Sequence, residues 1–559
     1  MSATTLKIPT TITVRVDGRE YSVTRGTRVK AFLRRYLPEL EKDCLGATLW
    51  NRLVALEAPI AASCDMVPIT YASKAGARIY RATLTIMLCE AAARLFPDAR
   101  VQVGQALGNG YYFDIFKEPA ISAGDVAAIE NEMRAMVERN EALATMRVPV
   151  HEAVEAFGVQ GYHSQAQIAR TFREGWVNLV TMGTHINLWM HPLLPTTEGI
   201  RAFEVRPYET GLVLSFPPAG RPDDPPADIG DQDALFATYR ETRDWNRLVG
   251  VETVADLNRS VVEGGIGEVI RVAEALHERK LAALADDIAC KRGCRLVLAA
   301  GPSSSGKTTF VKRLRMQLLA IGIRPKELST DNYYVNREDT PLDENGEYDY
   351  ECLEAIDLGL LNTHLDSLMK GEAVNPPRYS FTTGTRTFRP EPLQLGPGEV
   401  LLIEGIHGLN DKLTEAVPDE GKFRIYVSAL TQLCIDDHNR IFTSDARLLR
   451  RVVRDRRYRG YSAAQTISRW AKVRAGEKKW IYPFESHADA MFNSTLVYEA
   501  AVLKVFAERF LMEVPESDPS HVEAVRLLEF LDLFVPIFST DVPATSILRE
   551  FIGGSSFQY

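Results

Sequence analysis

Residues 295–309 read Arg-Leu-Val-Leu-Ala-Ala-Gly-Pro-Ser-Ser-Ser-Gly-Lys-Thr-Thr. The segment from Gly301 to Thr308 matches the pattern Gly-x-x-x-x-Gly-Lys-Thr, between an apolar run that predicts a strand and a helical pattern over 309–320. Glycines allow successive backbone N–H groups to face phosphate oxygens, and the dipole of the following helix favours an anion. The stretch therefore predicts an α/β domain with a mostly parallel sheet and a nucleotide-phosphate site at its edge.

Every residue of this loop is a predicted nucleotide contact. Lys307 is expected to reach the β- and γ-phosphates, and the Thr308 hydroxyl is expected to bind Mg²⁺. The nucleotide-binding set is Gly301, Pro302, Ser303, Ser304, Ser305, Gly306, Lys307, Thr308 and Thr309.

Two acidic residues follow further predicted strands. Asp331 comes after residues 326–330, and Glu404 comes after residues 400–403. A carboxylate at the carboxyl end of such a strand faces the phosphates, where Asp331 can take a proton from a substrate hydroxyl. Glu404 can hold Mg²⁺ directly or through water. The alternatives, a turn aspartate and a loop glutamate, stay open at this point.

An arginine-rich segment lies further along the chain. Residues 447–459 carry one acid, Asp455, and seven arginines, at 447, 450, 451, 454, 456, 457 and 459. Helical spacing places the first four on one face, where guanidinium groups can clamp the oxygens of a transferring phosphate and close as a lid. The candidate catalytic residues are Lys307, Asp331, Arg451 and Arg454. A solvated helix face or an RNA patch is the alternative.

Composition limits the class of protein. The 559 residues carry 65 Lys and Arg against 74 Asp and Glu, a net charge of −9, which argues against nucleic-acid coating by charge alone. Residues 1–13 lack the pattern of a secretion signal, and no apolar run approaches the ~20 residues that span a bilayer. We therefore expect a cytoplasmic protein. Seven scattered cysteines favour free thiols, and the spacing of Cys290 and Cys294 does not fit a zinc pair.

The first half is predicted to contain two modules. Residues 1–72 form a small β-rich module with a turn at Asp17-Gly18 and a short helix over 28–37. Residues 73–217 form a second α+β module. Its predicted elements are a helix over 79–96, a Gly-rich aromatic stretch at 104–114, a charged helix over about 123–144 and a strand at 211–216.

Proline and aspartate become frequent from Pro217 onward, which indicates a surface connection. Residues 218–288 are therefore interpreted as a linker with connecting helices, and residues 289–559 as the nucleotide-binding domain. A GTPase would also need an Asn-Lys-x-Asp segment after the phosphate loop, and the sequence has none.

Four segments together resemble the uridine kinase/phosphoribulokinase family of P-loop kinases. They are residues 300–309, Ser329-Thr-Asp-Asn-Tyr-Tyr334, Leu402-Ile-Glu-Gly-Ile406 and Arg447-Leu-Leu-Arg-Arg-Val-Val-Arg-Asp455. The resemblance covers about residue 295 to the C-terminus. It implies ATP- and Mg²⁺-dependent transfer to a hydroxyl, with Asp331 as the base, Glu404 as the metal-associated acid and Arg451, Arg454 and Arg459 in the lid.

The same resemblance implies an acceptor pocket. Its substrate contacts would be Asp349, Tyr379, Arg386 and Arg459. Where uridine kinases place a base-contacting histidine, arginine and glutamine, this chain carries Gly384, Tyr461 and Arg469. Another nucleoside, a sugar or a sugar phosphate therefore stays open as the acceptor.

The first half resembles threonyl-tRNA synthetase: residues 1–72 its TGS module, and residues 73–217 its second, editing-associated domain. The positions of the synthetase editing site carry Ala82, Ile86, Trp189 and Leu193, none of which can ligate a metal or activate water. The resemblance implies a retained fold without editing chemistry. The nearby His185 and His191 are interpreted as hydrogen-bonded residues rather than ligands.

The sequence favours a nucleoside kinase that transfers the ATP γ-phosphate to a 5′-hydroxyl. The alternatives are a kinase of a sugar or sugar phosphate, and an RNA-associated regulator that acts through the TGS-like module. No membrane partner is expected, and self-association stays open.

Overall fold

The computed structural model describes residues 9–230, 232–344 and 346–558. The first eight residues, part of the segment that lacks a secretion-signal pattern, lie outside this range. No helix in the described ranges is long and apolar enough to cross a membrane.

Residues 11–70 form one mixed sheet with two short helices packed against it. Asp17 and Gly18 adopt φ of 48° and 78°, the left-handed values of a tight hairpin turn, so strands 1 and 2 pair as the sequence predicts. The strand order is β2-β1-β5-β3-β4. The elements are β1 (Thr11–Val16), β2 (Arg19–Thr24), α1 (Val29–Tyr36), α2 (Pro38–Glu41), β3 (Cys44–Leu49), β4 (Arg52–Val54) and β5 (Cys64–Thr70).

The next unit combines a long helix with two antiparallel sheets, ordered β10-β9-β8 and β11-β12-β7-β6. Its elements are α3 (Lys74–Leu95), β6 (Arg100–Leu107), β7 (Gly110–Phe116), α4 (Ala123–Glu138), β8 (Ala144–Pro149), α5 (Val150–Val159), α6 (His163–Ala169), β9 (Trp176–Met182), β10 (His185–Leu188), β11 (Glu204–Tyr208) and β12 (Gly211–Ser215).

Two helices of this unit differ from the predicted limits. Helix α3 begins earlier because the Ser73 hydroxyl accepts a hydrogen bond from the Gly76 N–H at 3.0 Å and caps it. Helix α4 ends at Glu138, not near Ala144, because Asn140 turns the chain with φ of 48°. Residue 144 instead begins β8.

Three helices follow: α7 (Asp233–Val249), α8 (Val254–Val262) and α9 (Ile266–Cys290). They are more than connectors. Leu257, Leu281 and Ile288 are at most 2% exposed and share one apolar core with strands of the C-terminal region. Phe157 and Leu179 of the preceding unit join the same core. Burial therefore ties this segment to both of its neighbours.

The C-terminal region is a parallel sheet of order β14-β17-β13-β18-β19, with helices around it. The elements are β13 (Leu296–Ala300), α10 (Lys307–Ala320), β14 (Arg324–Ser329), α11 (Leu358–Met369), β15 (Pro377–Ser380), β16 (Thr385–Phe388), β17 (Glu399–Glu404), β18 (Lys422–Ser428), α12 (Thr443–Arg454), α13 (Ala463–Trp480), β19 (Ala490–Asn493), α14 (Glu499–Met512), α15 (His521–Asp532) and α16 (Arg549–Ile552). The predicted multidomain α/β and α+β fold class is confirmed.

The position of β13 fixes where a ligand can bind. It is the central strand, paired with β17 on one side and with β18 on the other, and β14 pairs with the far side of β17. Since parallel strands present their carboxyl ends at one edge, the loops after β13, β14 and β17 converge there.

Residues 429–442, called here the 429–442 loop, connect β18 to α12 and contact the first half of the chain. The Val103 N–H donates to the Asp437 carbonyl at 2.8 Å, and the Arg100 guanidinium pairs with the Asp437 carboxylate at 2.7 Å. Gln432 Nε2 donates to Gln105 Oε1 at 2.9 Å. The loop thus joins β6 to the C-terminal region.

Candidate active site

The phosphate loop is held in a shape that requires its glycines. A Cβ at Gly301 would lie 2.1 Å from the Val427 carbonyl oxygen, so only glycine fits between β13 and β18. Gly306 has φ of +82°, and a Cβ there would meet Ile547 at 2.6 Å. Ser304 adopts φ of 61°, which a non-glycine residue rarely does. The loop is therefore set by its surroundings before any ligand binds.

The predicted nucleotide contacts differ in their exposure. Ser303, Lys307 and Thr308 are partly exposed, whereas Pro302, Ser304 and Ser305 are buried along with the two loop glycines. Thr309 is fully buried, and its N–H and hydroxyl donate to Glu550 Oε2 at 3.1 and 2.8 Å. The N–H and hydroxyl of Thr309 are thus both bonded to a residue of α16, and these bonds do not support the predicted contact with nucleotide.

Glu404 lies directly beside the phosphate loop. The Thr308 hydroxyl donates to Glu404 Oε2 at 2.9 Å. Burial, together with the charge of Asp331, raises the pKa of Glu404 to about 7. Burial also lowers the pKa of Lys307, while Glu404 and Asp331 act in the opposite direction. Thr308 and Glu404, the two residues predicted to hold Mg²⁺, are therefore in direct contact.

Asp331 begins the turn after β14, at the same edge. The Asp331 N–H donates to Ser329 Oγ at 3.3 Å, and Ser329 Oγ donates to Glu404 Oε1 at 3.4 Å. Gly405 permits this approach, because a Cβ there would lie 1.9 Å from Thr330 Oγ1. The Asp331 backbone and the Glu404 carboxylate thus meet on the Ser329 hydroxyl, and the charge of Asp331 acts on the pKa of Glu404.

Glu351 is a third carboxyl group at this site, and sequence reasoning missed it. Burial raises its pKa to about 7, and the nearby charges of Arg451, Lys307 and Asp331 also act on it. Its backbone N–H donates to Asp349 Oδ1 at 3.0 Å. Glu351 lies in an irregular segment with no strand before it, so the strand-end pattern that found Asp331 and Glu404 could not find it.

The lid arginines surround a single buried acid. The Asp455 side chain is 2% exposed and lies 3.3 Å from Arg451, 2.9 Å from Arg454 and 3.8 Å from Arg459. Repulsion from Arg454, followed by burial, lowers the pKa of Arg459 to about 10. Three cations on one carboxylate leave excess positive charge, which suits a phosphate. Arg451 also reaches Ser303 Oγ in the loop at 2.7 Å.

The other two arginines on this face of α12 are not available to a transferring phosphate. Arg447 is 1% exposed, pairs with buried Glu477, and donates to the Ser303 carbonyl at 2.9 Å. Arg450 is fully buried, pairs with Glu499, and donates to the Ser304 carbonyl at 3.4 Å. Their predicted role as phosphate clamps is therefore corrected: both hold the backbone of the loop.

The rings of Tyr334, Tyr379 and Phe381 pack together near Asp331 and are called here the aromatic wall. Tyr379 packs against Tyr334 at 5.6 Å and against Phe381 at 5.1 Å between ring centroids. The Tyr379 hydroxyl is buried with no hydrogen-bond partner among the described residues. Burial raises the pKa of Tyr334, and the charges of Asp331 and Glu351 raise it further. Of the predicted substrate residues, Tyr379 packs against Tyr334, and Asp349 accepts a hydrogen bond from the Glu351 N–H.

Arg386 is placed differently. It is the cross-strand partner of Tyr379, but its guanidinium donates to Asp357 Oδ2 at 2.8 Å. No contact between described residues links it to the phosphate loop. The three positions that depart from uridine kinases also have partners. Gly384 adopts φ of +73° under Arg337, and the Arg469 guanidinium lies 4.3 Å from the ring centre of Tyr461.

The positions that correspond to the synthetase editing site lie apart from this edge. Ala82, Ile86 and Leu193 line one cavity, which His438 and Phe442 of the 429–442 loop also line. The Trp189 indole N–H is buried without a hydrogen-bond partner among the described residues. The cleft is thus apolar at these positions and faces the C-terminal region.

Residues 296–500 match the model of the phosphoribulokinase/uridine kinase family. The uridine kinase of Deinococcus deserti is 30% identical over 193 residues, which are 34% of this chain and 84% of that protein. The chain belongs to the phosphoribulokinase/uridine kinase family. The uridine kinase of Brevibacillus brevis is likewise 30% identical, over 35% of this chain and 83% of that protein. The predicted family resemblance is confirmed.

The chain also matches threonine–tRNA ligases over part of their length. That of Magnetococcus marinus is 32% identical over 167 residues, which are 30% of this chain and 26% of the ligase. This phosphoribulokinase/uridine kinase family member therefore spans only about a quarter of that ligase. Among solved structures, a possible uridine kinase from Bacillus stearothermophilus is 20% identical with a TM-score of 0.27, over 38% of this chain and 98% of that one.

Proposed function

We propose that this family member is a nucleoside kinase that transfers the γ-phosphate of ATP to the 5′-hydroxyl of a nucleoside. The observation that carries the proposal is the aromatic wall of Tyr334, Tyr379 and Phe381 next to Asp331. A nucleobase is recognised largely through its flat face, for which aromatic rings are the natural partners. A cytoplasmic location would fit this activity.

Each group of the site has one task in this proposal. The phosphate loop and Lys307 bind the triphosphate, and Asp331 orients the acceptor hydroxyl and takes its proton. Arg451, Arg454 and Arg459 approach the transferring phosphate and exclude water. The buried pair of Arg447 with Glu477 keeps the loop in place behind them.

The oxygen atoms present also fit Mg²⁺. The Thr308 hydroxyl and the Glu404 carboxylate lie 2.9 Å apart, and hard oxygen donors of this kind suit the ion. Thr308 and Glu404 would hold it, and the ion would neutralise negative charge on the phosphates. Burial of Glu404 without a cation leaves its pKa raised, which a bound cation would reverse.

The contacts of Arg386 and Arg469 favour a nucleoside acceptor over a sugar phosphate. Arg386 is paired with Asp357, and exposed Arg469 stacks on Tyr461. Arg386 thus already has an anionic partner, and Arg469 is held against a ring at the surface. Asp349, which accepts a bond from the Glu351 N–H at one oxygen, has a second oxygen for a ribose hydroxyl.

The test is ATP consumption with Mg²⁺ across nucleosides, sugars and sugar phosphates, for the wild type and Asp331→Asn. Loss of a general base costs about 10²- to 10⁴-fold, so Asp331→Asn should be nearly inactive. Asp366→Asn removes the same charge from an exposed pair with Lys370 and should leave the rate unchanged. Turnover with sugar phosphates alone would replace the nucleoside proposal, and no acceptor-dependent turnover would reject both.

We further propose that residues 1–72, 73–217, 218–288 and 289–559 are the units of the chain, and that the first two carry no editing activity. RNA binding by residues 1–72 rests only on the likeness to threonine–tRNA ligases. A salt-dependent shift assay of the full chain with structured RNA tests it, because charge-driven binding weakens steeply with salt.

A further inference from the structure

Three metal-ligating side chains meet at the interface between the first half of the chain and the 429–442 loop. Cys89 comes from α3, His185 from the start of β10, and His438 from the loop. One ligand atom from each residue lies within 4.8 Å of the other two, and all three side chains are buried. Three segments far apart in the sequence thus converge on one point, away from the phosphate loop.

His185 carries an unused nitrogen at this point. Its Nδ1 lies 3.1 Å from the Tyr162 hydroxyl, and its backbone N–H donates to Glu90 Oε2 at 2.9 Å. The residue is only 1% exposed, and its Nε2 has no hydrogen-bond partner among the described residues. An unsatisfied buried polar atom is destabilising, so this nitrogen is free to take a ligand.

His438 is fixed by two hydrogen bonds. The Gln165 Nε2 amide donates to its Nδ1 at 3.0 Å, and its backbone N–H donates to Asp436 Oδ1 at 2.8 Å. A metal at Nε2 would therefore require the Gln165 amide to turn its oxygen toward Nδ1. Burial lowers the pKa of His438 to about 3 and that of His185 well below its ordinary value. Both rings are therefore neutral, which is the state that binds metals.

The donor set selects the class of cation. One sulfur and two imidazole nitrogens suit Zn²⁺, whereas Mg²⁺ and Ca²⁺ prefer oxygen. Zn–N bonds of about 2.0 Å and Zn–S bonds of about 2.3 Å require the three atoms to approach by roughly 1 Å from their widest separation. Burial, and then the charges of Asp436 and Asp437, raise the pKa of the Cys89 thiol. A cation must therefore displace the thiol proton when it binds.

We propose that Cys89, His185 and His438 bind one Zn²⁺ ion that joins the first half of the chain to the C-terminal region. On binding, the Cys89 thiol loses its proton to the buffer and the thiolate bonds to the metal, with a water molecule as fourth ligand. Because the 429–442 loop leads into α12, the ion would fix the segment before the lid arginines. This revises the interpretation of His185 as an ordinary hydrogen-bonded residue.

The test uses Co²⁺ as the probe in the chelator-treated full-length protein. The proposal predicts a thiolate-to-cobalt absorption band that saturates at one equivalent per chain. Cys89→Ser should abolish the band, and His438→Gln, which keeps the thiol, should weaken Co²⁺ binding at least about tenfold. Added Zn²⁺ should raise the Tm of the wild type but not that of Cys89→Ser.

Two matched variants control for other thiols. Cys434→Ser alters a buried thiol of the same loop, and Cys290→Ser alters an exposed thiol near Cys294. Both should keep the band. If Cys89→Ser fails to fold, as judged by circular dichroism, the comparison of His438→Gln with Cys290→Ser decides. Absence of the band in the wild type, or its loss in Cys290→Ser and survival in His438→Gln, would overturn the proposal.

Discussion

Asp331, Glu351 and Glu404 bring three carboxyl groups to the neighbourhood of Lys307, and burial determines how many of them are charged. Glu351 and Glu404 each have a pKa raised to about 7, first by burial. Both therefore change charge near neutral pH. The protonation state of the site is then linked to whatever cation binds there.

Glu404 gives a pH-dependence that can be measured. Its acidic pKa is raised, so below pH about 7 a proton competes with Mg²⁺ for the carboxylate. The apparent affinity for Mg²⁺ should rise as pH increases through about 7 and level off above it. Titrating Mg²⁺ against turnover at several pH values checks this. Glu404→Gln should weaken Mg²⁺ binding and remove the pH-dependence; an unchanged pH profile in that variant would speak against the assignment.

Sequence reasoning reached Asp331 and Glu404 because each lies at the carboxyl end of a predicted strand, and the carboxyl ends of parallel strands meet at one edge. It did not reach Glu351 or Glu550. Glu351 lies in an irregular segment. Glu550 lies on the C-terminal helix α16 and accepts a hydrogen bond from Thr309. Contacts between distant segments leave no periodic pattern in the sequence.

Helix α12 shows the same limit at the scale of an element. The spacing of its arginines predicted a single face with one role, but the arginines on that face differ in how deeply they are buried. Arg447 and Arg450 are buried against Glu477 and Glu499, whereas Arg451 keeps access to Ser303. Charge spacing alone could not separate them, because their acidic partners lie on α13 and α14.

This division predicts opposite outcomes along one helix. Arg447→Met leaves buried Glu477 with only Arg474, at 3.4 Å, and the Tyr482 hydroxyl, at 3.1 Å, so the free energy of unfolding should fall in urea titrations by up to about 3–5 kcal/mol. The double variant Arg447→Met, Glu477→Met should recover much of that loss. If Arg447→Met is as stable as the wild type, the buried pair does not support the loop.

Arg451→Met should instead act on the rate. Asp455 keeps Arg454 and Arg459 as partners, so stability should change little while kcat falls about a hundredfold and the affinity for ATP is nearly kept. Arg456→Met, on the exposed side with Glu513, is the matched control and should leave kcat unchanged. An equal loss of ATP affinity and kcat would contradict a role in the transition state.

The whole molecule is joined more tightly than the domain division suggests. The shared core includes Phe157 and Leu179 from the second unit, Leu281 from α9, and strands of the C-terminal sheet. A chain of residues 289–559 should therefore lose a buried face, since each fully buried apolar side chain contributes about 1.5–3 kcal/mol. We expect it to unfold at lower urea than the full chain and with weak cooperativity. A single transition at the full-length midpoint would show that the region is independent.

The most direct test of the account is the identity of the phosphorylated product. The purified protein is incubated with ATP, Mg²⁺ and each nucleoside, and the product is examined by phosphorus NMR. The account predicts a phosphomonoester on the 5′-oxygen, formed in step with ADP and absent with Asp331→Asn. ADP formation that no hydroxyl acceptor alters, or that Asp331→Asn leaves intact, would contradict it.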